Sequence, residues 1–381
     1  MNYATRFIHF YHNVFTQTEL YAAMRNTVED SPWHRELNVA IHTDMVVSGY
    51  LGAKTIDAGT AKDWLCGAFA VAFHDVGKPP AEETKYSKER GEYRRYTGHE
   101  ILSARLWEDY AVKNFYELKE QFPEFDETMI LNTAWIIEHH LPFAIKKPAK
   151  LNVLSTMTSM MFSERRSDDI FFRCLMADCK GRLSDDHETK IENTTNWIND
   201  FRLDHSEHPI VVNEDQEAPV LMLLIGTSGC GKSTYKNNIL RKNPEFASFS
   251  LDDLREERYL EAHERGTVEG YEKAFNAACN DKKFNGAADV VYNELVKTGV
   301  NIIVDNINGS AKRRNKYITM AKTHGYRVVA VTFPNTLEEL LARQNSRQDK
   351  TVPENSVRRQ YFQIQMPSYG EVDEIRIIKT F

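Results

Sequence analysis

The stretch Val220-Leu-Met-Leu-Leu-Ile225, running directly into Gly226-Thr-Ser-Gly-Cys-Gly231-Lys232-Ser233-Thr234, decides the fold of the second half of the chain. Six consecutive apolar residues suit a short strand buried on both faces. The segment after the glycines reads as the start of a helix, which makes GxxxxGK[ST] a phosphate-binding loop in its proper context. Glycines let backbone N–H groups curl around phosphate oxygens, and the helix N-terminus adds positive potential. Lys232 can then reach the terminal phosphates and Ser233 can ligate Mg²⁺. Gly226, Ser228, Gly229, Gly231, Lys232, Ser233 and Thr234 are therefore the candidate binding residues for ATP or another NTP with Mg²⁺.

Outward from this motif, short apolar runs at Phe246 to Leu251, Asn301 to Asp305, Tyr326 to Phe333 and Glu374 to Lys379 alternate with helical stretches. That alternation implies a parallel sheet covered by helices. Upstream, from Thr18 to Ile198, apolar residues recur at helical spacing. The polar, proline-bearing stretch DHSEHPIVVNEDQEAP lies between the two patterns. The expected architecture is multidomain: an all-α domain over 1–205, a linker over 206–218 and an α/β domain with a central parallel sheet over 219–381. A chain of 381 residues, 41% apolar, is long enough for two cores.

A net charge of −7 excludes bulk electrostatic attraction to nucleic acid, so any such site must be local. The five cysteines (Cys66, Cys174, Cys179, Cys230, Cys279) form no CxxC pair and read as reduced packing residues. The opening MNYATRFIHFYHNVF lacks a long apolar core, and no run is long enough to span a bilayer. A soluble, cytoplasmic protein with no membrane partner is expected.

Two groups of residues carry further chemistry. In the second half, Ser250-Leu-Asp252-Asp253-Leu-Arg255 sits at a strand end, where α/β folds bind ligands. Asp252 is placed to take a proton from an attacking hydroxyl, while either aspartate also suits a helix cap. Asp305 ends the next strand, either as a carboxylate near Mg²⁺ or its waters or as an ordinary strand-end aspartate. Arg343 and Arg347 fall four apart, on one face if helical, where one could clamp a transferring phosphoryl group or simply face solvent.

In the first half, His42, His74-Asp75, His99, His139-His140 and Asp178 all lie on or beside helical segments. Imidazoles and carboxylates facing one centre suit Mn²⁺, Ni²⁺, Co²⁺, Fe²⁺ or Zn²⁺, with Asp75 able to bridge two ions. Lys78, one turn after the doublet, is placed to touch a substrate phosphate as a point charge, or is simply a lysine favoured near a helix C-terminus by the helix dipole. The insertion KYSKERGEYRRY, Lys85 to Tyr96, interleaves basic and aromatic residues as a solvated loop or one that tracks a phosphate backbone. Met157, Met160 and Met161 read as core filling.

The ordered segments GTSGCGKST, SLDDLREERY, IVDNINGSAKRR and LLARQNSRQDKTVP resemble the kinase domain of bacteriophage polynucleotide kinases over roughly Val220 to Gln365. That resemblance implies Asp252 as general base on a 5′-OH, Arg255 as holder of the acceptor phosphate and Arg347 in the lid over the donor phosphates. Asn306 and Asn308 are left unassigned. The order H, HDxGK, GHE, EHH, ADxxGR is similar to the HD phosphohydrolase superfamily from about Leu37 to Ser184. It implies His42, His74, Asp75 and Asp178 as core metal ligands, with His99, His139 and His140 serving a second metal. Together the halves resemble HD plus polynucleotide-kinase fusions that heal RNA ends. The implied substrates are RNA or DNA ends with a 5′-OH and a 2′,3′-cyclic, 2′- or 3′-phosphate, and the implied partner is a separate RNA ligase. The rival reading is a nucleotide phosphohydrolase joined to a small-molecule kinase.

Overall fold

Ala61–Phe73 is an alanine-rich helix whose residues are all buried from Asp63 to Phe73, and the first half of the protein is built around it. In the computed structural model, described over residues 2–29, 35–52, 61–89, 91–141, 168–207, 215–347, 350, 352–367 and 371–378, the chain divides into two compact units, Met1–Ile210 and Val211–Phe381. Each is described by itself. Met157, Met160 and Met161 lie outside the described residues.

The N-terminal unit is helical: α1 Tyr3–Asn13, α2 Glu19–Asn26, α3 Val39–Gly52, α4 Ala61–Phe73, the single turn α5 Lys78–Ala81, α6 His99–Lys113, α7 Phe115–Gln121, α8 Glu127–Glu138, α9 Asp168–Lys180 and α10 His187–Glu207. Side-chain caps start several of them. Asn2 accepts from Thr5 N–H, Thr18 from Tyr21 N–H, and Asp126 from the N–H groups of Thr128 and Met129. Helix α10 continues to Glu207, two residues into the stretch expected as linker. Phe69 on α4 packs edge-on against Phe7, Phe10 and Phe122 at 5.5, 5.3 and 5.2 Å between centroids, with Trp107 tilted at 5.1 Å.

Two short antiparallel pairs join these helices. Strand β1 Val28–Glu29 pairs with β2 Leu37–Asn38. The insertion expected as a loop forms a hairpin, β3 Glu83–Ser87 with β4 Gly91–Arg95. Both of its faces are mostly solvated, so it carries no apolar alternation that would have marked it as sheet. Tyr96 Oη donates to the Val28 carbonyl at 2.6 Å and ties its base to β1.

The C-terminal unit is an α/β sandwich: β5 Val220–Ile225, α11 Lys232–Lys242, β6 Ala247–Phe249, α12 Leu251–Tyr259, α13 Val268–Asn280, α14 Phe284–Lys297, β7 Ile302–Val304, α15 Ala311–Thr323, β8 Arg327–Thr332, α16 Leu337–Asn345, α17 Glu354–Phe362 and β9 Glu374–Ile377. The sheet is wholly parallel in the order β6-β7-β5-β8-β9. Alternate residues feed two cores: Leu221, Leu223 and Ile225 go to one face, Met222 and Leu224 to the other. Burial on both faces is why the strand reads as an unbroken apolar run. All parallel strands deliver their carboxyl ends, and so the candidate residues of the motif, to one edge. The cysteines are free thiols, buried except for Cys279. Among the described residues no helix is long and apolar enough to cross a membrane.

Phe69 is fully buried, and its replacement by alanine leaves a hole among five aromatic rings, those of Phe7, Phe10, Trp107, Phe122 and Phe125. Phe69→Ala is expected to lower unfolding free energy by about 3–5 kcal/mol in urea denaturation.

Candidate active sites

In the N-terminal unit, the helix ends carry the chemistry. His42 stands on α3, His74 and Asp75 follow α4, His99 opens α6, His140 lies just past α8, and Asp178 is in the last turn of α9. Four imidazoles place Nδ1 against a backbone carbonyl: His42 to Gly181 at 3.2 Å, His74 to Val71 at 2.9 Å, His99 to Tyr96 at 2.7 Å and His140 to Ile137 at 2.6 Å. A carbonyl can only accept, so Nδ1 carries the proton and Nε2 presents its lone pair inward.

Those Nε2 atoms converge on Asp75. Its Oδ2 lies 3.2 Å from His74 and 3.6 Å from His42, and its Oδ1 lies 3.2 Å from His99 and 3.7 Å from His140. Asp178 Oδ1 is 3.1 Å from His42 Nε2. Two groups of buried ligand atoms result, His42 with His74 and Asp178, and Asp75 with His99 and His140, each within 4.8 Å. Both oxygens of Asp75 and Nε2 of His99 are buried without a hydrogen-bond partner among the described residues. Orphaned lone pairs at this density are what a metal centre requires and what a packed core avoids. The residues therefore fit divalent ions.

Charge state agrees with that fit at Asp75, Asp178 and His140, whereas at His74 burial lowers the imidazole but Asp75 outweighs it and raises the group, so an ion there must displace a proton. Burial pushes the Asp75 carboxyl up, but His74 and Lys78 outweigh it and hold the group well below the usual carboxylate range. Burial likewise opposes ionisation of Asp178, which Arg182 and His42 hold ionised. Burial lowers His140 and favours its neutral, ligating form.

Not every expected residue joins. His139 is the residue after the last turn of α8, and its ring stacks on Trp135 at 4.6 Å while Nδ1 meets the Trp135 carbonyl. One residue of helix rotation sends it away from the centre, and it belongs to neither ligand group. Lys78 is buried between Glu29, with which it is ion-paired, and Asp75 Oδ2 at 2.8 Å, off the line of a hydrogen bond. Its ammonium faces carboxylates of the protein. Glu29 has no sequence signal at all. Arg182, ion-paired with Asp178, could have been read from its i+4 spacing. Gly77 explains the glycine of the doublet motif: a methyl there would lie 2.5 Å from His99 O and 2.6 Å from Ser103 N, backbone atoms of α6.

In the C-terminal unit, Gly229 and Gly231 take φ of 89° and 102°, the left-handed region that only glycine adopts freely. Gly231 caps α11. Lys232 Nζ bonds the carbonyls of Gly226 and Thr227 at 2.7 and 2.9 Å, inside the curl of the loop. Ser228 N–H donates to Gln360 Oε1 from α17. Ser233 and Thr234 are exposed at the helix start.

At the tip of β6, Ser250 rather than an aspartate caps α12, accepting from Asp253 N–H. Asp252 is thereby left to interact elsewhere, and its two oxygens meet Arg255 at 2.5 Å and Lys350 at 2.7 Å. Burial raises the Asp252 carboxyl, and those two cations more than offset it, holding the group below its ordinary value. Lys236, one turn beyond Lys232, lies 3.2 Å from both Asp253 and Asp305 and ties the loop helix to the ends of β6 and β7. Arg343 bonds Asn335, and α16 stops at Asn345, so Arg347 sits past the helix and not on a shared face with Arg343. Its charge is felt at Tyr271, near Asp252. Asn306 and Asn308 are structural: Asn306 Oδ1 accepts from Leu251 N–H, and Asn308, at φ 48°, donates to the Leu224 and Val304 carbonyls.

A family model for the AAA domain matches residues 221–367. A protein of Autographa californica nuclear polyhedrosis virus with the provisional name bifunctional polynucleotide kinase/RNA ligase is 26% identical over 147 residues, which is 37% of this chain and 20% of the viral protein. Among solved structures, a chain of the Pnkp1/Rnl/Hen1 RNA repair complex is similar at 19% identity and a TM-score of 0.28, over 40% of this chain and 45% of that one. A gluconokinase from Sinorhizobium meliloti 1021 is similar at 17% identity and a TM-score of 0.31, over 42% of this chain and 82% of its own. The chain thus spans a fifth of the viral relative and under half of the repair-complex chain.

Titration of the full chain with Mn²⁺ by calorimetry is expected to show two ions per chain. Asp178→Ala should remove one, His99→Ala the other, and Asp75→Ala should weaken both by tenfold or more.

Proposed function

We propose that this protein repairs nucleic-acid ends, RNA ends above all, with a 5′-OH kinase in the C-terminal unit and a metal-dependent phosphoesterase in the N-terminal unit. The carrying observation is that one chain holds two complementary machineries. One is a phosphate-binding loop tied through Lys236 to a strand tip bearing an ionised, cation-flanked Asp252. The other is Asp75, a buried carboxylate whose Oδ2 lies near His42 and His74 and whose Oδ1 lies near His99 and His140. The name of the viral relative supports the first of these over the stretch it matches.

For the kinase, loop N–H groups and Lys232 would hold the donor phosphates, and Ser233 and Asp305 would hold Mg²⁺ or its waters. Asp252 takes the 5′-OH proton as the oxygen forms its bond to phosphorus and the donor's bridging P–O bond breaks. Arg255 receives the acceptor's phosphate, and Arg347 offsets charge on the moving phosphoryl group. For the phosphoesterase, His42, His74 and Asp178 would hold one divalent ion and His99 and His140 a second, with Asp75 between them. A bound ion supplies Lewis acidity, neutralising phosphoryl charge and acidifying water. The Nδ1–carbonyl bonds keep the imidazoles aimed, and Arg182 keeps Asp178 ionised. The products are a 5′-phosphate and a free 3′ end, which a separate ligase can join.

A short RNA with a 5′-OH and a 2′,3′-cyclic phosphate, incubated with ATP, Mg²⁺ and Mn²⁺ or Ni²⁺, is expected to gain a 5′-phosphate and lose its terminal phosphate by mass spectrometry. Lys232→Ala should abolish only the gain and Asp75→Ala only the loss. Consumption of ATP or free nucleotides with both RNA ends unchanged would instead establish the small-molecule reading.

The pH dependence follows from the Asp252 cations. Because its carboxyl is held below the ordinary value, the acid limb of kcat/KM for the acceptor should lie below that value. Lys350→Ala removes one of the two cations and should shift that limb to higher pH in a pH–rate profile.

A further inference from the structure

Helix α13 buries a stripe of small residues, Gly270, Ala274 and Ala278. One position after two of these stand Tyr271 and Phe275, which the core does not use. Their rings stack with centroids 6.2 Å apart and 26° between planes, and Phe275 is 42% exposed. A single exposed phenylalanine is ordinary. Its neighbours here are not. The Arg255 guanidinium lies 5.3 Å from the Phe275 centroid and 5.6 Å from that of buried Phe284, and Lys350 Nζ lies 5.1 Å from the Tyr271 centroid. Both cations are the ones that grip Asp252. Tyr271 itself is pushed up to about 12, by burial first and then by the Asp252 charge, so it remains a neutral phenol.

Aromatic rings beside two cations that also bond one carboxylate match the groups a nucleotide presents, base, phosphate and hydroxyl. We propose that Tyr271 and Phe275 form a stacking platform for the 5′-terminal nucleobase of the acceptor strand, with Arg255 and Lys350 taking the phosphate on its 3′ side. Arrival of that phosphate draws both cations off Asp252 and frees the carboxylate for the 5′-OH. Every base offers a π face, so the platform recognises the presence of a terminal base and tolerates its identity. This inference rests on the kinase reading above and names a substrate contact within it.

The test uses the full chain and two DNA or RNA oligonucleotides with a 5′-OH, alike except that one has an abasic 5′-terminal nucleotide. Acceptor KM and ATP KM are measured for the wild type, Phe275→Ala and Phe275→Tyr. The wild type is expected to show a KM about tenfold higher for the abasic end. Phe275→Ala should raise the KM for the intact end about tenfold, leave the KM for ATP in place and erase the difference between the two ends. Phe275→Tyr should restore it. Circular dichroism confirms folding of the variants, whose changed side chain is on the surface. Equal wild-type KM for the two ends, or an acceptor KM unmoved by Phe275→Ala, overturns the platform while leaving the kinase reading intact. Absence of phosphoryl transfer from the wild type to either oligonucleotide overturns the kinase reading, and the platform falls with it.

Discussion

A carboxylate with both oxygens buried cannot stand alone, and the N-terminal unit is organised by that constraint at Asp75. Its neighbours are Lys78 and His74 from its own segment and His42, His99 and His140 from three other places in the chain. Each imidazole is aimed by a backbone carbonyl, and those carbonyls come from helix ends: Val71 and Ile137 in the last turns of α4 and α8, Gly181 just past α9, Tyr96 just before α6. Helix length and phase therefore set the geometry of the centre. The aromatic core around Phe69 fixes α1, α4, α6 and the segment after α7 against one another, so packing and site geometry are the same problem in this unit.

The C-terminal unit solves a related problem with a sheet. A strand buried on both faces can project function only from its ends, and parallel pairing puts those ends on one edge. Side chains then lock the edge: Lys236 bridges Asp253 and Asp305, and Asn308 donates to the Leu224 carbonyl near the end of β5 and the Val304 carbonyl at the end of β7. The phosphate-binding loop and the tip of β6 are thus held by charge and amide contacts independent of any ligand.

Much of this was legible in the amino-acid order. The five strands of the C-terminal unit appear within a residue or two of the expected runs; β5 and β7 are unbroken apolar runs because they are buried on both faces, while β6 and β9 are only partly buried and carry polar residues. The ligand residues were legible as an ordered set, since imidazoles and carboxylates beside helices have few purely structural uses in that number. His139 against His140 was not, because the choice depends on where α8 stops and which way its last turn faces. The β3–β4 hairpin was hidden by its solvated faces, which erase the alternation that marks a strand. Lys350 could not be paired with Asp252, 98 positions earlier, since no local pattern encodes a contact of that span. The assumption of a continuous helix placed Arg347 beside Arg343, and a helix end at Asn345 separates them.

The double grip on Asp252 has a consequence for water. On the kinase reading, a carboxylate already bound by a guanidinium and an ammonium is a weaker base, so a water molecule near the donor gets less help from it. An anionic strand end seated beside Asp252 offers both cations a second partner at once. On the kinase reading, the anionic character of the strand is itself the key that unlocks the base, and idle turnover of the donor is suppressed by the same contacts that later hold the substrate.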